Sequence, residues 1–150
     1  MKGTDMWRAR RLFPCLNVIL LLLPILATPT AGGDASELAA IETTLADYLE
    51  GGRSGDVEQL RRAFHPSARL QFVKDGHYNE WALEEYLGAR TPGRRSGHRT
   101  RVLSIDFAGT SATAKLELDF GGYKFIDYMS LLKIDGRWWI VNKVFYRSES

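Results

Sequence analysis

Cysteine is all but absent, with Cys15 the only one in the 150-residue chain. No intrachain disulfide can form, and a cysteine-ligated metal cluster has no ligand set. Histidine is nearly as sparse: His65, His77 and His98 are scattered without metal-ligand spacing, so a metal centre has no support. No glycine-rich loop leads from a strand into a helix, which removes the phosphate-cradling route to nucleotides. Nothing in the chain calls for a cofactor. An excess of one charge is lacking too. Lys and Arg total 20 against 18 Asp and Glu, a net of +2. Lys2, Arg8, Arg10 and Arg11 against Asp5 give the first 33 residues +3, so the remainder carries −1. That balance withholds the basic footprint of a nucleic-acid partner.

The one long apolar run, Leu12 to Ala27, follows those arginines and precedes a small-residue, Pro-containing stretch, Thr28 to Gly33. Cationic opening, short apolar run and small residues are the parts of a secretory signal peptide. The run is shorter than the ~20 residues a spanning helix needs, and Pro14 and Pro24 interrupt it. A retained membrane anchor is the competing reading. Cleavage is expected near Ala31 to Ala35, and Cys15 precedes the apolar run where a lipobox cysteine would follow it. The expectation is a leader over residues 1–33 and one domain over 34–150, exported to the periplasm or outside the cell with no stable membrane anchor after processing. Arg10-Arg11-Leu12-Phe13 weakly resembles a twin-arginine export signal. A mature chain of about 115 residues is enough for one core and too short for two.

Apolar residues at Leu38, Ile41, Leu45, Tyr48 and Leu49 mark one face of a helix, with Asp34 and Glu37 spaced as a capping box and Gly51-Gly52 as its stop. Asp56 caps a second, shorter helix with Val57, Leu60 and Phe64 on its buried stripe, ending before Pro66. Leu70 to Val73 reads as a strand turning at Asp75-Gly76, and Asn79 as the cap of a third helix through Leu87. Arg90 to Arg99 reads as an exposed Gly-, Pro- and Arg-rich loop, its arginines either solvated or facing an acidic partner or anion. Leu103, Ile105 and Phe107, then Ala112, Ala114, Leu116 and Leu118, alternate with polar residues, as in antiparallel strands wet on one face. The order ααββαββββ predicts an α+β domain, with three helices on one face of a strongly curved mixed or antiparallel sheet of about six strands.

Tyr123 to Arg147, YKFIDYMSLLKIDGRWWIVNKVFYR, reads as two strands around Asp135-Gly136. A type I turn with a Gly bulge over Ile134-Asp135-Gly136 pairs Leu131 with Trp139, Met129 with Val141, Asp127 with Lys143 and Phe125 with Phe145. Trp138 and Ile140 then lie on the opposite face. A two-residue turn on Asp135-Gly136 shifts the parity and puts Tyr128 beside Lys143. The bulged register is preferred because it leaves no charge facing a purely apolar neighbour.

This element order, with FHPSA after the second helix and a terminal DGRWWIVNKVF, resembles the cone-shaped nuclear transport factor 2-like superfamily. FIDYMSLLKIDGRWWIVNKVFYR is most similar to its putative lumazine-binding subgroup, and the likeness spans roughly Glu37 to Arg147. The resemblance implies a curved sheet around a long first helix, with a pocket at one end used by enzymes and by non-catalytic binders alike. Against the steroid isomerases of that superfamily, Tyr48 is similar in position to their helix tyrosine, Asp127 to their late neutral acid, and Phe72 to their carboxylate base. Phe72 cannot abstract a proton, and Lys143 beside Asp127 favours the charged acid over a neutral one. Val141, Lys143 and Phe145 fall at last-strand pocket positions.

The site implied comprises Tyr48, Phe72, Trp81, Phe125, Asp127, Met129, Val141, Lys143 and Phe145, with Trp81 at the cavity mouth. Asp127 with Lys143 reads as a surface cross-strand ion pair, a pocket anchor or, least readily, catalytic machinery. His65 reads as a cap, a packed residue or a pocket base. Three functions remain: an exported binder of a small hydrophobic or aromatic molecule; a small isomerase or dehydratase using His65 or Asp127; and a structural dimeric module with a filled cavity. Apolar residues on both faces of the late strands suggest a homodimer.

Overall fold

The helical stripe Ile41, Leu45, Tyr48 is buried to 2% exposure or less along α1 (Ala31–Ser54) in this computed structural model, which describes residues 31–149. The expected leader therefore falls almost wholly outside the described residues. α1 passes through Gly51-Gly52 instead of stopping there, and Gly51 is a packing site. A Cβ on Gly51 would lie 2.5 Å from the backbone nitrogen of Leu60, so α2 (Val57–Ala63) can cross this closely only over a glycine. Asp34 lies within the first turn of α1, and Glu37 reaches out of the helix: it accepts from Lys133 Nζ at 2.5 Å and Trp138 Nε1 at 2.8 Å. Asp56 caps α2 as expected, its Oδ1 accepting from the Gln59 amide at 2.9 Å.

The remaining elements are β1 (Phe64–Lys74), β2 (His77–Ala82), α3 (Leu83–Gly88), β3 (Arg99–Ala108), β4 (Ser111–Asp119), β5 (Tyr123–Ile134) and β6 (Arg137–Glu149). They form one six-stranded sheet in the order β2-β1-β6-β5-β4-β3. Only β1 and β6 pair in parallel; the other neighbours are antiparallel, so the sheet is mixed. α1 packs on β6, and α3 on β1 and β2. The α+β architecture and element order agree with the sequence pattern.

Three local differences have physical causes. Asn79 begins no helix. The Asp75-Gly76 turn, with φ of 52° and 79°, has the backbone of a tight two-residue hairpin, and pairing runs from Lys74–His77 to Arg69–Ala82. α3 starts only at Leu83, where Glu85 accepts from the Ala82 amide at 2.7 Å. The closing hairpin makes the same turn: Asp135 and Gly136 have φ of 51° and 80°, and Ile134 pairs with Arg137. The type I turn with its bulge at Gly136 is therefore replaced by a two-residue turn. A bulge does occur, but further along, where Leu131 pairs with Ile140 and Ser130 with Asn142, leaving Val141 without a partner. That extra residue switches the parity of β6. Trp138 and Ile140 before it and Lys143 after it are all buried on the inner side with Leu131, Met129 and Asp127. Likewise the pairing skips Leu103 between Val102 and Ser104, and Leu103 is exposed.

Candidate functional site

The inner face changes character along its length. Toward the Trp138 end it is filled by Leu131, Ile140, Met129, Ala112 and Ala114 against Ile41 and Leu45. One helical turn beyond Leu45 comes Tyr48, and beyond that Gly51, Gly52 and Gly55 present no side chains to the sheet. A cavity of about 990 Å³ opens there, and these three glycines line it.

A buried polar cluster forms its floor. Asp127 is 0% exposed and Lys143 5%. Lys143 Nζ lies 3.0 Å from Asp127 Oδ2 and donates to Tyr48 Oη at 2.6 Å, while the Tyr48 hydroxyl donates to the same Oδ2 at 2.5 Å. Asp127 and Lys143 are diagonal neighbours, since Met129 faces Lys143 and Asp127 faces Phe145. The bulge at Val141 thus leaves both on one face without the direct pairing expected from the sequence. Burial, then the negative charge of Asp127, push the Tyr48 phenol well above its ordinary value, so it stays protonated as a donor. An ammonium has three donors. Two are engaged by Asp127 and Tyr48, so among the described residues one N–H has no hydrogen-bond partner, and Lys143 also lines the cavity.

Aromatic side chains form the walls. Phe72 pairs with Phe145 across β1 and β6, and their rings stack at 4.7 Å. Trp81 packs edge-on to Phe72 at 4.9 Å, and Phe125 edge-on to Phe145 at 5.8 Å. The series continues through Phe120 to His98, stacked on it at 4.4 Å. His98 is 7% exposed; its Nδ1 is bonded to Ser96 Oγ, and its Nε2 is buried without a partner among the described residues. Burial, reinforced by the charges of Arg90 and Arg53, holds His98 below the ordinary histidine value and so favours the neutral ring.

Of the residues singled out from sequence, Tyr48, Phe72, Trp81, Phe125, Lys143 and Phe145 all line the cavity, and Asp127 lies directly behind Tyr48 and Lys143. Met129 does not reach it, being packed in the core at 2% exposure, and Val141 is the bulge residue. His65 is also elsewhere: its Nδ1 is 2.7 Å from Ser67 Oγ and its ring stands edge-on to Trp139. The cavity further includes Tyr86, Phe120, Tyr123, His98 and the loop arginines Arg90, Arg94 and Arg95. Phe120 and Tyr123 continue the inward series of β4 and β5 past Leu118 and Phe125, a signal present in the alternation. The loop arginines have no such signal.

A long helix over a mixed six-stranded sheet, closing on a cavity with polar anchors at its floor, is the nuclear transport factor 2-like arrangement. Solved structures with this fold include an NTF2-like protein of unknown function from Shewanella baltica OS155, 26% identical, with a TM-score of 0.71 over 82% of this chain and 100% of that one. Another, from Methylobacillus flagellatus KT, is 31% identical, with a TM-score of 0.65 over 75% of this chain and 92% of that one. Among curated proteins, the aldolase FrzH of a Cladobotryum species is 25% identical over 117 residues, 75% of this chain and 92% of its own. The family model described as Putative lumazine-binding matches residues 36–146, and the chain belongs to that family.

Proposed function

We propose that this is an exported small-molecule-binding domain, whose cavity takes a mostly apolar, aromatic ligand anchored through Lys143. The observation that carries this reading is the Lys143 ammonium, held by Asp127 and Tyr48 at the floor of an aromatic-walled chamber with one donor left over. Such a site is mainly apolar with a few convergent polar groups, the usual composition of a ligand pocket. The family's description makes pteridine-like rings the first probes to try. Purified protein is expected to melt at higher temperature with at least one member of an aromatic and pteridine-like library, and Lys143→Met to lose that shift. No shift across the library sinks the binding reading. The filled-cavity alternative draws no support from a chamber of about 990 Å³.

A catalytic reading is favoured by one combination: a relative named an aldolase, and a buried lysine in the cavity floor. On that reading the free amine of Lys143 attacks a carbonyl and loses water to form an imine. Borohydride added with a panel of aldehydes and ketones would then fix a mass adduct on the Lys143 peptide. An unmodified peptide removes the reading. Two features weigh against acid–base catalysis by the other candidates: Phe72 stands where the resembling isomerases carry their base, and His65 lies outside the cavity.

The export reading rests on the leader-like residues 1–33; amino-terminal sequencing of protein recovered from the producing cell tests it. The homodimer reading draws on Tyr128, Leu132, Val144 and Tyr146, exposed on the outer face of β5 and β6. A monomeric mass by light scattering would overturn it.

A further inference from the structure

Among the described residues the cavity lining includes six basic side chains, Lys74, Arg90, Arg94, Arg95, Lys143 and Arg147, and no Asp or Glu. The charges are not distributed evenly. At the floor, Lys143 is matched by Asp127, so that end is a hydrogen-bond donor with little net charge. At the exposed end, Arg147 has a carboxylate within reach, Glu149 at 3.4 Å, whereas Lys74, Arg90, Arg94 and Arg95 form no ion pair among the described residues.

The arginine loop is tied down at this end. Gly93 N donates to Gly55 O and Ser96 N to Arg53 O, both at 2.9 Å. A Cβ on Gly55, whose φ is +75°, would lie 2.7 Å from Arg94 backbone atoms, so the loop closes on the end of α1 through the absence of a side chain. Arg90 lies over the Tyr86 ring at 4.4 Å and donates to its hydroxyl at 2.5 Å. Cations unmatched by acids, sharing an aromatic-walled space, raise the local concentration of anions and favour them once bound.

We infer that the cavity takes a planar aromatic carboxylate, its ring system against Phe72, Phe145 and Phe125, a carbonyl acceptor toward Lys143, and its carboxylate among Arg90, Arg94 and Arg95. This deepens the binding reading above and rests on it. The inner end selects an acceptor and the outer end a negative charge, so the ligand enters in one orientation.

The test is calorimetric titration with a matched pair, 9,10-anthraquinone-2-carboxylate and its neutral 2-carboxamide. Both offer ring carbonyls to Lys143 and differ only in the outer group. The carboxylate should bind about tenfold more tightly, a difference of about 1.4 kcal/mol, and this preference should shrink as ionic strength rises. Arg90→Gln/Arg94→Gln/Arg95→Gln, all surface replacements, should cut the preference to within about threefold, as expected for several exposed charge contacts removed together. Equal affinity for the two probes overturns this inference and leaves the binding reading standing. Binding of neither overturns this inference, and the binding reading falls with it only if the aromatic and pteridine-like library also gives no melting shift. A preference that survives the triple replacement overturns the assignment of the carboxylate to that loop.

Discussion

Tyr48 on α1 and Asp127 on β5, 79 residues apart, are joined by a 2.5 Å hydrogen bond on which Lys143 also converges. The bond fixes the helix to the sheet at the one level where the inner face stops being a core and becomes a cavity. Because the three groups are buried together, removing any one leaves the others desolvated and incompletely satisfied. Lys143→Met should therefore destabilise the fold by about 3 to 5 kcal/mol, the cost of an unpaired buried carboxylate. Tyr48→Phe, which keeps the ring, should cost about 1 to 3 kcal/mol. Asp127→Leu/Lys143→Met together should cost clearly less than the two single changes summed, as read from urea denaturation.

His98 makes stability depend on pH in a known direction. Its folded value lies below the ordinary 6.5, so on acidification the unfolded chain takes up a proton before the folded one does. Stability is full above pH 6.5 and is lost as pH falls through the folded value. Melting temperatures taken from pH 8 to pH 5 should fall more steeply for the native chain than for His98→Phe, which retains a ring to stack on Phe120. Parallel profiles would show that His98 is not responsible.

Gly51 and Gly52 are adjacent in α1 and should respond oppositely to alanine. Gly52 has open space where a Cβ would stand, with nothing within 4 Å, and Gly52→Ala should stabilise by about 0.5 to 1 kcal/mol through helix propensity. Gly51→Ala sets a methyl 2.5 Å from the Leu60 amide nitrogen, against backbone that cannot rotate away. It should destabilise despite the same propensity gain, separating the two by thermal melting.

The Asp135-Gly136 turn needs positive φ at both residues. Asp135→Asn should be nearly neutral, because asparagine tolerates this region. Gly136→Ala should cost about 1 to 2 kcal/mol for placing a Cβ in left-handed backbone. Equal stability of the two variants would contradict the turn geometry.

Most of the fold is legible in the sequence because its signals are local. The Ile41-Leu45-Tyr48 spacing, the Asp56 cap and the alternation on β4 each depend on residues within a turn or two. Asp127 and Lys143 can be grouped because two opposite charges in apolar stretches have few satisfactory neighbours other than each other, and Tyr48 joins them through the resemblance to the steroid isomerases. Val141 departs from expectation because a single extra residue in β6 changes which side chains face inward, and its position is set by sheet pairing; Met129 faces inward as expected but packs in the core below the cavity floor. The helix expected from Asn79 is missing because hairpin pairing outcompetes a local capping signal.

The sequence by itself determined the element order, where the chain turns and the association of Asp127 with Lys143, since each is written in short-range pattern or in the cost of burying charge alone. Only the tertiary structure decided where β6 bulges, why Gly51 and Gly55 are glycine, and that three loop arginines border the same cavity as Lys143. Those outcomes turn on close approach between segments distant in the chain, and an atom's absence, as at Gly55, has no meaning until the other backbone is beside it.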